Sequence, residues 1–341
     1  MCKVSVLMSV YNGELYLAEA IESILSQTYT DFEFIIYEDC STDNSLSILQ
    51  DYEKQDKRIT VIVNEKNKGL TANLIDGVNT AKGTYLARMD ADDISLPKRL
   101  EKQVYFLENH KDVVLLGSSV IFFDNNGNEF VAYQPTEHNE IKIQLLLGFT
   151  LLHPSVMLRT KAFHDHKLNY NPEFRYAQDH DLWARTVMVG LKTANIYEPL
   201  IKMREHANKI STTLKPKQQY YSNQTRLLQL NAYGITLGES ELMAFHNLTS
   251  GKANFELLEL KTFEKALLNI VREEQNVNGL NHNILSAKVA EIFRLKCREL
   301  MINKKNGAWL YWQSPLRKYD NMTKSNQMTF FVRSLKTFLQ F

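Results

Sequence analysis

Arg88-Met89-Asp90-Ala91-Asp92-Asp93 follows a short hydrophobic run, Thr84-Tyr85-Leu86-Ala87, that reads as a buried strand. Three carboxylates within four positions just past a strand end repel one another. At the mouth of a sheet such a cluster waits for a cation. Oxygen-only ligands favour hard ions such as Mg²⁺ or Mn²⁺, which bridge to a substrate phosphate. The other reading of the same residues is an acidic turn leading into a helix at Pro97.

On either side of this stretch, strand-like and helix-like segments alternate over roughly the first 200 residues, an α/β pattern that implies a mostly parallel sheet covered by helices. Val4–Val10 is the first strand, and Leu15–Gln27 has apolar residues at a helical period (Leu17, Ile21, Ile24, Leu25). Phe32–Tyr37 and Ile59–Val63 are the second and third strands; Ser41 is placed to cap the helix that carries Leu46, Ile48 and Leu49. The helix after Gly69 carries Leu74, Ile75 and Val78, and Gly83 closes it before the fourth strand. Pro97 suits the first turn of a helix over Lys98–Asn109. Val113–Phe123 and Glu129–Tyr133 are further strands, joined by an Asn125-Asn126-Gly127-Asn128 hairpin turn. After about residue 205 the character changes to helical segments near Lys217–Tyr233, Phe255–Val271, His282–Ile302 and Gly307–Tyr319, a helical appendage.

With 341 residues, 44% hydrophobic and 23% charged, the composition is that of an ordinary globular protein of one large domain or two. A net charge of +1 argues against a nucleic-acid-binding surface. Cys2, Cys40 and Cys297 lack metal or redox spacing and fit a reducing compartment. The first strand begins too early for a signal peptide, and no run of about 18 apolar residues is present, so the expected address is the cytoplasm. Met328–Phe341 combines Phe330, Phe331, Val332, Leu335, Phe338 and Leu339 with Arg333 and Lys336. It reads either as an amphipathic segment on an anionic membrane surface or as a terminal helix docked on its own domain.

Ligands of open α/β sheets bind beyond the C-terminal strand ends, so the loops there carry the chemistry. The first, Ser9-Val10-Tyr11-Asn12-Gly13-Glu14, holds neither a dinucleotide glycine fingerprint nor a phosphate loop. The second, Glu38-Asp39-Cys40-Ser41-Thr42-Asp43, offers a carboxylate to a base N–H, with the Tyr11 ring for stacking. In the third, Asn67-Lys68-Gly69-Leu70, Gly69 lets backbone amides approach a ligand. With the acidic cluster as the fourth, the set fits a nucleotide diphosphate.

In order and spacing, over roughly residues 3–210, these four loops resemble the inverting family-2 glycosyltransferases with a GT-A fold. The resemblance implies a Rossmann-like mixed sheet, with a donor half at 1–95, an acceptor half at 96–210 and a helical C-terminal region at 211–341. It implies that Asp39 reads the nucleobase, and that Ser9, Tyr11, Glu14, Asn67, Gly69, Arg88, Asp90 and Ala91 line the nucleotide sugar. Asp90 and Asp92 hold ribose and the divalent metal (Mn²⁺ or Mg²⁺) on the diphosphate. The second loop departs from the commoner Asp-Asp-Gly-Ser by carrying Glu38-Asp39-Cys40-Ser41.

Gln178-Asp179-His180-Asp181-Leu182-Trp183 resembles the family's Glu-Asp-x-Asp-Leu-Trp segment, which makes Asp179 the general base. Gln178, Asp181 and His153 fall on the acceptor side, while Leu182, Trp183 and Val187 read as core. Met203-Arg204-Glu205-His206 resembles the Arg-x-His element, giving His206 to the metal or the leaving phosphate. A donor bound as a UDP-sugar, a saccharide or lipid-linked acceptor, and bacterial surface-polysaccharide assembly at the cytoplasmic membrane face complete the expectation. The rivals are a non-catalytic nucleotide-sugar-binding scaffold and a sugar-nucleotide nucleotidyltransferase; the latter needs a Gly-rich basic first loop that Tyr11-Asn12-Gly13-Glu14 is not.

Overall fold

Val4, Val6, Met8 and Val10 are all fully buried, and so is Leu7 on the opposite face. A strand apolar on both sides belongs in the middle of a parallel sheet. So it does: β1 (Val4–Val10) lies between β2 (Phe32–Glu38) and a parallel neighbour at Tyr85–Met89. β3 (Ile59–Val63) pairs with β2, and the Tyr85–Met89 strand is β4. The computed structural model describes residues 2–206, 214–252, 254–274, 279–302 and 307–323, together with 325–327, 329, 330 and 332.

Helices α1 (Leu17–Leu25), α2 (Ser45–Gln55) and α3 (Leu70–Thr80) form the crossovers. Register then fixes the edge that matters. Val10 lies opposite Glu38, Glu38 opposite Val63, and Met8 opposite Met89. The four following loops therefore leave the sheet along one edge.

The rest of the sheet is mixed, in the order β3-β2-β1-β4-β8-β6-β9-β5 with β7 on β6. Here β5 is Ile94–Ser95, β6 Val113–Asp124, β7 Glu129–Ala132, β8 Met157–Arg159 and β9 Lys192–Glu205. Between them lie α4 (Arg99–Asn109), α5 (His138–Leu147), α6 (Thr160–Asp165) and α7 (Gln178–Met188). β8 runs antiparallel to β4, and the two-residue β5 runs antiparallel to β9.

Two compact units divide the chain. One comprises Met1–Ile141 and Phe149–Ser222, the other Lys142–Gly148 and Asn223–Phe341. Helix α8 (Lys215–Ala232) begins in the first unit, and the second is built on its part from Asn223 onward with α9 (Glu239–Thr249), α10 (Leu257–Glu274), α11 (His282–Ile302) and α12 (Gly307–Gln313). Phe245, Phe263, Ile270, Leu285, Phe293 and Leu316 are fully buried in its core. Phe330 joins that core. Most of the stretch read as an amphipathic segment, Met328–Phe341, lies outside the described residues, as do residues 207–213. No described helix is long and apolar enough to cross a membrane.

Four local readings change. Ser41 does not cap α2, which starts at Ser45; its hydroxyl accepts from Asn12 N at 3.0 Å, and Asp43 takes the Ser45 amide at 2.9 Å. Pro97 precedes α4 rather than starting it, and its carbonyl accepts from Thr28 N. Glu239–Thr249 was not anticipated as a helix: its apolar residues give only a weak stripe. Gly83 is required for close approach, not as a helix cap, since α3 ends at Thr80. A Cβ there would meet Ser5 N at 2.5 Å and Val4 C at 2.7 Å, backbone atoms that cannot rotate away. Gly83→Ala is expected to destabilise the chain by roughly 1–3 kcal/mol, seen as a lowered denaturation midpoint; an unchanged midpoint would disprove the clash.

Candidate active site

Asp39 is buried and its carboxylate is almost saturated. It accepts from Asn64 Nδ2 at 2.8 Å, Lys68 N at 2.9 Å and Gly69 N at 2.8 Å. Three of its roughly four acceptor positions are thus used to fix the third loop, leaving one toward the loop cleft. Gly69 adopts φ +85° at the start of α3, a conformation that suits glycine. Asn64 also donates to Asn73 Oδ1 at 2.7 Å, and Asn73 donates to Ser9 Oγ at 2.9 Å. A polar chain therefore ties the ends of β1, β2 and β3 together.

Cys40, which stands where the resembled Asp-Asp-Gly-Ser pattern has glycine, takes φ +62°. The buried Glu38 carboxylate offsets this strain by accepting the amides of Cys40 at 3.1 Å and Ser41 at 2.7 Å. Tyr11 is 53% exposed, so its ring is free to stack on a ligand, and Asn67 is exposed. Glu14 is engaged structurally: Oε2 accepts from Asn44 N at 3.0 Å and Asn44 Nδ2 at 2.8 Å.

At the end of β4 the buried Arg88 donates through Nη2 to Asp90, while its Nε and Nη1 have no partner among the described residues. Orphaned guanidinium N–H groups are expensive, and their remedy is an anion. Ala91 is half-buried. Asp92 Oδ2 lies 2.9 Å from His206 Nε2, a contact spanning 114 positions. The β5–β9 pairing creates it, setting Ile94 against Lys202.

Arg204 locks the junction. Its amide donates to Asp93 Oδ1 at 2.9 Å and its Nε to Asp92 O at 3.1 Å, its guanidinium also reaches Glu19, and it stacks 4.3 Å from the Tyr16 ring. In the sequence, only its place in the Arg-x-His element marks Arg204.

Across the edge stands the N-terminus of α7. Ala177 is left-handed (φ 51°), and the next residues are Gln178, which is buried, and Asp179. Partial burial pushes the Asp179 carboxyl above the ordinary range, and the negative Asp90 adds to this; the His180 amide at 2.8 Å and Arg88 pull the other way.

His153 Nε2 sits 2.8 Å from Tyr170 OH. Burial, then the Arg88 charge, pushes His153 down to about 3, so it is a neutral imidazole at working pH. Burial likewise raises Tyr170, with Asp179 and Asp90 contributing. These mutual fields put Arg88, Asp90, His153, Tyr170 and Asp179 in one cluster. Tyr170 was not foreseen, because nothing local marks it. Asp181 is buried, and its carboxylate is engaged in an ion pair with Arg185 at 2.7 Å. Leu182, Trp183 and Val187 are core, as expected.

The residues fit a divalent cation in chemistry. Asp92 offers oxygen and His206 nitrogen, with Asp90 adjacent, a set suited to Mn²⁺ or Mg²⁺. Among the described residues no three such side chains form a ready cage, so substrate oxygens would have to complete the shell.

The glycosyl transferase family 2 profile matches residues 5–166. An uncharacterized glycosyltransferase of Methanocaldococcus jannaschii is 42% identical over 229 residues, covering 65% of this chain and 78% of that protein. The O-antigen biosynthesis glycosyltransferase WbnJ of Escherichia coli is 33% identical over 224 residues, 64% of this chain and 84% of its own. Among solved structures, S. aureus TarS 1–349 in complex with UDP-GlcNAc aligns at a TM-score of 0.59 and 19% identity, over 87% of this chain and 88% of that one. That last likeness is one of fold alone. The chain belongs to glycosyltransferase family 2, has the GT-A fold and is a glycosyltransferase.

Proposed function

We propose that this enzyme moves a sugar, a hexose or N-acetylhexosamine, from a nucleotide-diphosphate donor to a saccharide or lipid-linked acceptor with inversion at the anomeric carbon. The observation that carries the reading is the meeting at the C-terminal end of β4. Two later elements bring Asp179 and His206 to the acid loop there. Residues 1–95 serve the donor, 96–210 the acceptor, and 211–341 a partner or membrane surface. A UDP-sugar is the favoured donor. Polysaccharide biosynthesis at the cytoplasmic membrane face is the favoured setting, in keeping with the O-antigen name of the Escherichia coli relative.

In the proposed step Asp179 accepts the acceptor hydroxyl proton as that oxygen bonds to the anomeric carbon. The bond from that carbon to the diphosphate oxygen breaks on the opposite face, and the nucleoside diphosphate leaves. Charge accumulates on the departing phosphate, and the two unpartnered guanidinium nitrogens of Arg88, Nε and Nη1, support a role for that side chain in balancing it. Tyr11 stacks on the base, Asp39 accepts its N–H through its remaining lone pair, and Ser9, Asn67, Gly69 and Ala91 shape the cleft. Asp92 and His206, with Asp90, would hold a divalent ion, which when bound neutralises charge on the diphosphate.

The test is a panel of nucleotide sugars with Mn²⁺ or Mg²⁺, read by thermal stabilisation and donor hydrolysis. A ligand at 100 times its Kd adds about 2.7 kcal/mol. One donor is expected to stabilise the wild type with metal, and Asp92→Ala to lose that metal-dependent gain. If no nucleotide sugar shifts the melting point, the donor assignment falls.

A further inference from the structure

A groove of about 560 Å³ is lined by Arg175, Tyr176, Pro216, Lys217, Tyr220 and Tyr221, a size that suits a small ligand. It adjoins the proposed base in sequence: Tyr176 is three residues before Asp179, so their Cα atoms are at most about 11 Å apart. Its floor is aromatic. Tyr221 contacts Phe174 at 5.4 Å, Tyr176 at 6.1 Å and Tyr220 at 5.4 Å between ring centres. Phe174 is buried, and packing of Tyr221 against it and of Tyr176 against Tyr221 accounts for these two half-buried rings. It does not account for Tyr220, which keeps 60% of its surface in solvent.

The charges at the rim have one sign. Arg175 and Lys217 are exposed, Lys217 Nζ lies 5.6 Å from the Tyr176 ring, and among the described residues no carboxylate lines the groove. An exposed tyrosine face takes the C–H face of a sugar ring and offers a hydroxyl at its edge. A guanidinium and an ammonium beside it select a carboxylate or phosphate.

We infer that this groove binds the acceptor, and that the acceptor is an anionic saccharide whose sugar stacks on Tyr220 while its acidic group faces Arg175 and Lys217. The inference rests on the reading of Asp179 as the acceptor base and names the substrate class of that same site. Two sources share the chemistry: a uronic acid and a sugar phosphate.

The experiment measures binding to the full chain, without donor, by calorimetry. The probes are matched neutral, uronic-acid and 1-phosphate forms of glucose-, galactose- and N-acetylglucosamine-containing disaccharides. At least one anionic form is expected to bind about tenfold tighter than its neutral twin. Arg175→Ala with Lys217→Ala should erase that preference, and Tyr220→Ala should weaken both forms, whereas Tyr220→Phe keeps most of the affinity. Lys161→Ala with Lys54→Ala, at exposed lysines elsewhere, controls for the loss of two charges, and unchanged melting points confirm folding. Which anionic form wins identifies the source.

Equal binding of neutral and anionic twins, no binding of any probe, or indifference to these substitutions would overturn the groove. The base assignment fails separately, by wild-type transfer in Asp179→Asn, and that result leaves the groove's binding data standing.

Discussion

Asp179→Asn is expected to lower transfer by about 10²–10⁴-fold while leaving nucleotide-sugar binding intact. The substitution keeps an oxygen where Oδ1 accepts the His180 amide, so the start of α7 should hold its shape. What it removes is the proposed proton acceptor. Burial, helped by Asp90 and opposed by the His180 amide and Arg88, raises this carboxyl, which brings it toward the pH at which it must work.

The same shift has a stability consequence of definite sign. The native state holds the Asp179 proton more tightly than the unfolded chain, so the group's contribution to stability falls as pH rises from the unfolded carboxylate pKa, about 3.9, through the raised native value. Above that window the native protein carries a partly buried charge that asparagine lacks. Asp179→Asn should therefore melt higher than wild type at pH 8, and the gain should vanish near pH 4. The comparison is made without metal, because Asp90 is among the groups that face Asp179. A variant that transfers normally, or one that melts lower at pH 8 than at pH 4 relative to wild type, would defeat the assignment.

Residues 1–95, the segment proposed for the donor, were legible because their information is local. Buried parallel strands announce themselves as runs such as Val4–Val10, and each loop that follows is contiguous with its strand. Asp39, Gly69 and the acid loop could be named before any coordinates, and register placed them on one edge. Residues 96–210, proposed for the acceptor, carry their information in pairings. Ile94–Ser95 is too short to be read as a strand, yet its ladder with β9 is what sets His206 against Asp92. Tyr170 reaches His153 only through the fold, and Arg204 stands out only once Asp93, Glu19 and Tyr16 surround it.

Motif membership alone also gave Glu14 and Asp181 roles toward ligands that their partners, Asn44 and Arg185, do not favour. A carboxylate in a motif is equally useful as a loop staple. In the helical unit, Glu239–Thr249 escaped notice because helix packing, more than periodicity, defines it.

Trp183→Ala should be the most destabilising single change in the catalytic unit, at about 3–5 kcal/mol. The ring is 1% exposed, lies edge-on to His153 at 6.1 Å and Tyr170 at 6.5 Å, and donates from Nε1 to Leu151 O at 2.9 Å. Leu151 itself holds φ +56°, so that hydrogen bond also pins a strained turn. Removing the indole leaves a cavity beneath α7 and an unsatisfied carbonyl, against a total stability of order 5–15 kcal/mol for a typical protein.

Trp183→Phe separates the two losses. It refills most of the volume but cannot donate, and should cost about 1–3 kcal/mol through the Leu151 carbonyl. Because Tyr170 feels the Asp179 charge and is held by His153, the alanine variant should also lose activity at temperatures where it is still folded: a misplacement of about 1 Å is worth roughly 10²-fold. Thermal denaturation of both variants, with transfer assayed well below each midpoint, checks the pair. If Trp183→Ala melts with the wild type, or if folded Trp183→Ala transfers at the wild-type rate, α7 does not depend on this ring to place its carboxylate.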